Sequence, residues 1–261
     1  MNWIIYFLII LIGMVLGSFF NVCIYRIPRK ESIVFPASHC PVCKHKITMF
    51  DNIPIFSYLF LKGKCRYCGA KISPIYPIIE IITPLFFLGL FFVSGQNFSP
   101  DFWKYFVFIS FGIIIFSIDV VHKIIPDVLS LPLLIIGFLF SLIPGSKMGI
   151  VSAFTGAAFG FFVFFILAYL FHRFMKKEAL GGGDIKLIAA IGSFVGFYGV
   201  LFTIFFASFF ALIFILVFYK ERTKEIPFAP FLISAAVFYV LFGHLIFDLY
   251  LRLFLFRSLA L

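Results

Sequence analysis

The sequence predicts an all-α polytopic membrane protein with about eight transmembrane helices and a small polar insertion between the first two. Of its 261 residues, 63% are hydrophobic and 12% are charged, whereas a soluble domain carries roughly 25% charged residues. The apolar residues form runs long enough to cross a bilayer. The basic residues cluster in short segments between these runs, a pattern that orients membrane helices.

The apolar runs define the predicted elements in order. The first covers residues 3–24 and lacks the basic start and small-residue cleavage site of a signal peptide. Residues 25–75 form the polar insertion. Seven further spans are predicted at 76–94, 102–120, 127–143, 149–171, 185–197, 199–219 and 229–251. The run 185–197 is short for a span of about 20 residues, so we expect a tilted, buried or broken helix there.

The charge pattern predicts an orientation for these spans. Basic residues follow the first run, which places the N-terminus outside and the segments 25–75, 120–126, 172–186 and 220–228 in the cytoplasm. All but four of the 21 Lys and Arg residues lie in those segments; the exceptions are Lys104, Lys147, Arg252 and Arg257. We therefore assign the net charge of +10 to topology and to contact with membrane lipids, and we expect no nucleic-acid partner.

Two carboxylates are predicted to lie at the same membrane face. Asp119 follows the almost wholly apolar stretch 111–118, at the cytoplasmic end of the third span. Asp184 ends the sequence Gly181-Gly182-Gly183-Asp184, at the cytoplasmic start of the sixth. Two carboxylates a few ångströms apart share a proton. The ionised partner can activate water while the protonated partner stabilises a developing oxyanion, so the pair is suited to peptide hydrolysis.

Other roles for these residues have to be weighed against catalysis. Asp127 follows Pro126 and opens an apolar run, so capping of a helix N-terminus explains it. Asp184 could cap the sixth span in the same way, and Asp119 could reach interfacial water. Because ionisable groups within spans are usually functional, the shared face favours catalysis for Asp119 and Asp184. Gly181 and Gly183 then give a supporting loop the freedom to approach a substrate closely.

The insertion carries four of the five cysteines, in the pairs Cys40-Pro41-Val42-Cys43 and Cys65-Arg66-Tyr67-Cys68. Two such pairs supply the four thiolates of a tetrahedral structural Zn²⁺ site, with no position left for a catalytic water. His39 and His45 are alternative ligands, and disulfides or unligated thiols are the competing interpretations. The segment is too small to fold on its own core, so we expect metal to stabilise it. Cys23, inside an apolar run, is assigned to packing.

Several stretches together resemble a known family. They are residues 17–22 (GSFFNV), 25–28 (YRIP), 38–43 (SHCPVC), 51–54 (DNIP), 63–69 (GKCRYCG), 72–80 (ISPIYPIIE), 118–119 (ID), 125–127 (IPD) and 181–184 (GGGD). This combination is similar to the bacterial type IV prepilin peptidases, which are aspartyl proteases of type IV pilus and type II secretion systems. The resemblance covers nearly the whole chain.

The resemblance implies two activities. The first is removal of the basic leader peptide of type IV prepilins or pseudopilins at the cytoplasmic face of the bacterial inner membrane. Asp119 and Asp184 would be the catalytic residues. Asp127 is the alternative to Asp119 as the first member of this pair. The second activity is N-methylation of the new N-terminus with S-adenosylmethionine, for which the residues alone give no support. The implied domains are a first helix (1–24), a zinc-binding, methyltransferase-associated module (25–75) and a seven-helix protease domain (76–261).

Three alternatives stay open at this stage. A related intramembrane aspartyl protease could act on other membrane-anchored precursors, and the cysteine pairs argue against its archaeal preflagellin branch, which generally lacks them. A membrane ion or proton carrier could use Asp119 and Asp184 as relay groups, although such groups more naturally lie near mid-membrane. A zinc-stabilised membrane scaffold would leave the glycine-rich loop unexplained. The oligomeric state is not predicted.

Overall fold

A computed structural model describes residues 2–176, 181–218 and 226–250. Over these ranges the secondary structure is helical, without an extended strand. The helices are α1 (Asn2–Arg26), α2 (Phe56–Phe60), α3 (Ile75–Val93), α4 (Pro100–His122), α5 (Asp127–Ser141), α6 (Ile150–Met175), α7 (Gly182–Phe218) and α8 (Ala229–Tyr250). Parts of the predicted segments 172–186, 220–228 and 229–251, with Arg252 and Arg257, lie outside the described residues.

The predicted all-α membrane architecture is confirmed. Within the described ranges, five helices are long and apolar enough to cross a bilayer: α1, α3, α4, α6 and α7. Helix α5 has 15 residues, about 22 Å of helix, and is shorter than a hydrocarbon core of about 30 Å. The polar insertion lies between α1 and α3, and it contains two short 3₁₀ turns besides α2.

Helix α7 is interrupted at Gly196, which takes a non-helical conformation with φ 71° and ψ −175°. Before the break, Ile188 and Gly192 lie against Gly160 and Gly156 of α6, so the two segments run antiparallel. After the break, Phe197 packs on Phe159, with ring centroids 4.6 Å apart. Residues 182–195 and 197–218 are therefore two helices that meet at Gly196, in agreement with the two separate runs that the sequence predicts.

The chain divides into two compact units. The first comprises Met1–Asn97 and Ile109–Ile124, and the second comprises Phe98–Phe108 and Ile125–Leu261. In the first unit, α1 packs on α3 through two glycines one turn apart. A Cβ at Gly13 would lie 2.6 Å from the Pro84 Cα, and one at Gly17 would lie 2.9 Å from the Glu80 Cα. Small residues at this spacing let two membrane helices approach backbone to backbone.

In the second unit, α7 packs against α5, α6 and α8. A Cβ at Gly156 of α6 would lie 2.5 Å from the Gly192 carbonyl oxygen of α7, so glycine is needed on both sides of this crossing. The second segment of α7 packs on α8 through aromatic rings, among them Phe202 and Tyr239 with centroids 5.2 Å apart. The chain has 43 phenylalanines, and part of them is thus used in packing between helices.

The α6–α7 crossing gives a stability prediction. Gly156→Ala places a methyl group against the α7 backbone and should lower the free energy of unfolding by about 1–3 kcal/mol, the usual cost of overpacking. Thermal unfolding of the purified protein in detergent measures this change. Gly149→Ala is the matched control, because a Cβ there has nothing within 4 Å. Equal stability of the two variants would contradict the close crossing.

Candidate active site and metal centre

The two cysteine pairs form two turns with the same backbone pattern. In each, the N–H four residues after the first cysteine donates to its carbonyl (Lys44 to Cys40, Gly69 to Cys65, both 2.9 Å). The first cysteine's own N–H donates five residues ahead, from Cys40 to the His45 carbonyl and from Cys65 to that of Ala70. Lys44 and Gly69 both have positive φ. The two pairs therefore share the geometry of paired metal-binding knuckles.

The four thiols converge on one point. The Cys40 and Cys68 sulfurs are 3.8 Å apart, the Cys43 and Cys65 sulfurs are 4.0 Å apart, and all four lie within 4.8 Å of one another. Zn–S bonds of about 2.3 Å in a tetrahedron place sulfurs about 3.8 Å apart. The backbone N–H of Cys43 lowers the pKa of the Cys40 thiol to about 6, which favours the thiolate that binds metal. The residues present therefore fit a Cys₄ metal site.

Neighbouring side chains fix the two knuckles in place. His45 stacks on Tyr67 with ring centroids 3.5 Å apart, which joins one knuckle to the other. Arg66 donates two hydrogen bonds to a carboxylate oxygen of Asp51, at 2.6 and 2.9 Å, and these hold the pKa of that carboxyl below its usual value. Within the described residues the metal-capable cluster consists of the four cysteines, without His39 or His45.

Asp119 lies in the first unit, one turn before the end of α4. It is buried, with 4% of its surface exposed, and the preceding Ser117 and Ile118 are buried as well. The helix ends just beyond it, where the N–H of Lys123 donates to the Asp119 carbonyl and Lys123 adopts a positive φ of 54°. The carboxylate thus stands where an apolar helix ends, as the sequence predicts.

Asp184 lies in the second unit, in the first turn of α7. It is half-buried, and its N–H donates to the Gly181 carbonyl at 3.0 Å. One carboxylate oxygen would lie 3.3 Å from a Cβ at Gly181, so the side chain folds back over the preceding loop. A Cβ at Gly183 would lie 2.9 Å from the Ile125 Cβ. Glycine at Gly183 therefore lets the turn that carries Asp184 pack directly on the segment before α5.

The Asp127 side chain forms an ion pair and does not cap a helix N-terminus. It is the first residue of α5, and the N-cap position before it is occupied by Pro126, with no side-chain cap. The exposed Asp127 carboxylate instead accepts hydrogen bonds of 2.7 and 2.8 Å from the Lys186 ammonium of α7. Capping by its side chain therefore does not explain Asp127. Its ion pair and the Gly183–Ile125 contact together tie the first turn of α7 to the start of α5.

Two buried charged residues, Glu80 and Arg26, were not assigned a site role from the sequence. Glu80 of α3 is 8% exposed and accepts the Ile55 N–H at 2.7 Å. Ile55 has a φ of 65°, unusual for a β-branched residue. Arg26, at the end of α1, is 6% exposed. An acid inside the apolar run 76–94 is itself a signal of a functional position, and it could have singled out Glu80.

Comparison with known proteins decides the family. The model of the bacterial peptidase A24 N-terminal domain matches residues 11–94, and that of the type IV leader peptidase family matches residues 106–216. A prepilin leader peptidase/N-methyltransferase of Klebsiella pneumoniae is 39% identical over 193 residues, covering 71% of this chain and 82% of the relative. The chain belongs to the type IV leader peptidase family.

Two further relatives extend the match along the chain. Proteins of the same description are 34% identical in Pectobacterium carotovorum subsp. carotovorum, covering 87% of this chain and 89% of the relative, and 32% identical in Aeromonas salmonicida, covering 92% of both. No solved structure matches the chain. The predicted family is thus confirmed, and this leader peptidase is a multi-pass membrane enzyme.

The sulfur geometry predicts the effect of losing one ligand. Cys65→Ser should lower the bound zinc from about one ion per chain to less than a tenth of that, because the three remaining thiolates do not complete the tetrahedral coordination of Zn²⁺. Inductively coupled plasma mass spectrometry of the purified protein measures the metal. Cys23→Ala is the control, since Cys23 is buried in α1 outside the cluster. Wild-type protein that stays folded without any bound metal would contradict a structural zinc site.

Proposed function

We propose that this leader peptidase cleaves the leader of type IV prepilins or pseudopilins at the cytoplasmic face of the inner membrane, with Asp119 and Asp184 as its catalytic pair. The observation that carries the assignment is the burial of the Asp119 carboxylate at the end of an apolar helix, within a chain of this family. Burying a carboxylate costs free energy, and a role in function is the usual reason why a protein retains one.

The two carboxylates would have different roles in peptide hydrolysis. One, ionised, accepts a proton from water as the water oxygen bonds to the scissile carbonyl carbon. The other, protonated, donates a hydrogen bond to the carbonyl oxygen as negative charge develops there. The C–N bond then breaks as the carboxyl that took the water's proton passes it to the leaving nitrogen, which becomes the new amine. Low solvent exposure strengthens both interactions, because water does not screen them.

The contacts around Asp184 support a positioning role for its neighbours. Gly183 packs on Ile125, and Lys186 holds Asp127, so the turn that carries Asp184 is restrained from both sides. A catalytic group has to be held to a fraction of an ångström, which rigid supporting contacts provide. Asp127 would therefore act through Lys186 and would not replace Asp119.

We also propose that the enzyme methylates the amine that cleavage exposes. S-Adenosylmethionine, when bound, would supply the methyl group from its sulfonium to the amine nitrogen, with release of the thioether and loss of a proton to water. The relatives' names, which include N-methyltransferase, support this activity. The module of residues 25–75 would serve it, with a structural Zn²⁺ held by Cys40, Cys43, Cys65 and Cys68, while residues 1–24 form an anchoring helix and 76–261 the protease domain.

Substitution of the carboxylates tests the peptidase assignment. Asp119→Asn and Asp184→Asn should each reduce cleavage of a purified prepilin in liposomes by at least about 10³-fold, because each removes one of two groups that act as a unit. The size of the product on a gel gives the rate. Asp127→Asn is the matched control and should keep activity within about tenfold.

Full activity of either Asp119→Asn or Asp184→Asn would remove that residue from the catalytic pair. An inactive Asp127→Asn variant with an active Asp119→Asn variant would exchange their assigned roles. Retention of zinc and of the wild-type unfolding temperature shows that an inactive variant is folded. A chain that moved protons or ions across liposomes but never cleaved a prepilin would favour the carrier alternative.

A further inference from the structure

The first unit contains a cavity of about 330 Å³ beside the C-terminal half of α1, where the polar insertion begins. Its inner wall is a single face of α1, from Val15 through Phe19 and Val22 to Arg26. Its outer wall is formed mainly by the loop 33–38 of the insertion. Among the lining residues that the structure describes, Arg26 is the charged one and none is acidic. The catalytic assignments above leave this cavity without a role.

Arg26 holds the outer wall of the cavity in place. Its guanidinium donates to the carbonyl of Ser32 at 2.8 Å and to that of Pro36 at 2.7 Å. These carbonyls flank an apolar tripeptide, in which Val34 and Phe35 are 66% and 77% exposed. Large apolar side chains exposed in a row are unfavourable in water but favourable at the boundary between lipid headgroups and acyl chains. The pinned loop therefore presents an apolar surface beside the cavity, at the end of a membrane helix.

Arg26 also has binding capacity that the loop does not use. A guanidinium carries five N–H donors, of which two donate to the loop carbonyls. In the part of the chain that the structure describes, no carboxylate lies within ion-pair distance of it, and Asp51, next to the lining residue Asn52, is paired with Arg66. A buried cation in such a cavity is suited to an anion, and a phosphate accepts two parallel hydrogen bonds from a guanidinium.

The inner wall continues along α1 as an apolar track. Beyond Val15, the exposed side chains of Leu11 and Leu8 follow at helical spacing. This face lies opposite the glycines through which α1 packs on α3. The rise from Val15 to Arg26 is about 16 Å, close to the about 15 Å that one leaflet contributes to the hydrocarbon core. The track therefore matches the length of an acyl chain whose headgroup lies at Arg26.

We propose that this cavity binds one anionic phospholipid, with its phosphate on Arg26 and an acyl chain along the Val15–Val22 face of α1. The ligand is a lipid and not a free phosphate, because the apolar track and the exposed tripeptide form a surface that an acyl chain covers. A headgroup without an amine is favoured, since the lining offers no acid to an ammonium group. The bound lipid joins the insertion to α1, which adds apolar contacts to a module too small for a large core of its own.

Comparison of two lipids with the same acyl chains tests this proposal. Delipidated full-length protein in a neutral detergent is titrated with phosphatidylglycerol or with phosphatidylcholine, and native mass spectrometry counts the bound lipids. The wild type should bind one phosphatidylglycerol about tenfold more tightly than phosphatidylcholine, whose ammonium would lie near a like charge. Arg26→Gln should weaken phosphatidylglycerol binding by about 10- to 100-fold, the usual effect of losing a hydrogen bond to a charged group. Arg29→Gln is the matched control and should keep the preference, because Arg29 is exposed and stacks on Tyr25 outside the cavity.

Val22→Phe keeps the test decisive if Arg26→Gln fails to fold, since it fills the cavity without removing the Arg26 hydrogen bonds. It should weaken phosphatidylglycerol binding by at least about tenfold. Val93→Phe is its matched control, the same exchange at an exposed position at the C-terminal end of α3, outside the cavity. The proposal is overturned if the wild type shows no preference between the two lipids, if Arg26→Gln keeps the preference, or if Val22→Phe binds phosphatidylglycerol as tightly as Val93→Phe. Displacement of the lipid by an equal concentration of inorganic phosphate would also overturn it, because the cavity would then be a site for a free anion.

Discussion

The hydrocarbon core of a bilayer offers no water to a polar group, so each buried N–H, carbonyl or charge in this enzyme needs a partner inside the protein. That constraint explains why the chain is helical, while the glycines where helices cross serve close packing. Gly13 and Gly17 in one unit, and Gly156 and Gly192 in the other, bring backbones together where bulkier residues would collide. The proposed catalytic residues Asp119 and Asp184 lie near helix ends, in the last turn of α4 and the first turn of α7.

Because of the same constraint, a buried charge is costly and indicates a specific role for the residue that carries it. Arg26 and Glu80 belong to membrane helices, yet both reach out of them to hold loops of the insertion. The insertion has little core of its own. The Arg66–Asp51 ion pair and these anchors hold its loops, and four converging cysteines could add a metal to these contacts. A loop-rich module can be ordered in this way because a few strong, directional contacts compensate for small apolar burial.

Much of this architecture could be predicted from residue patterns. Apolar runs set the helices, and the short run 185–197 anticipated the break at Gly196, because a run too short for a full span indicates an interrupted helix. Cysteine spacing anticipated the converging thiols because metal-ligand geometry is local. The Asp127–Lys186 pair and the anchoring by Arg26 could not be foreseen, because they depend on which residues distant in sequence meet after packing. The capping interpretation of Asp127 failed for that reason: its partner lies 59 residues away.

The proposed peptidase mechanism requires Asp119 and Asp184 to act as one proton-sharing pair. The pH dependence of kcat/KM for prepilin cleavage tests this claim directly, measured with zinc content held constant across the range. A pair that shares one proton predicts a bell-shaped profile, with activity lost at low pH when both carboxyls are protonated and at high pH when both are ionised. A profile that rises to a plateau through a single ionisation would contradict the pair and leave only one carboxylate in the chemistry.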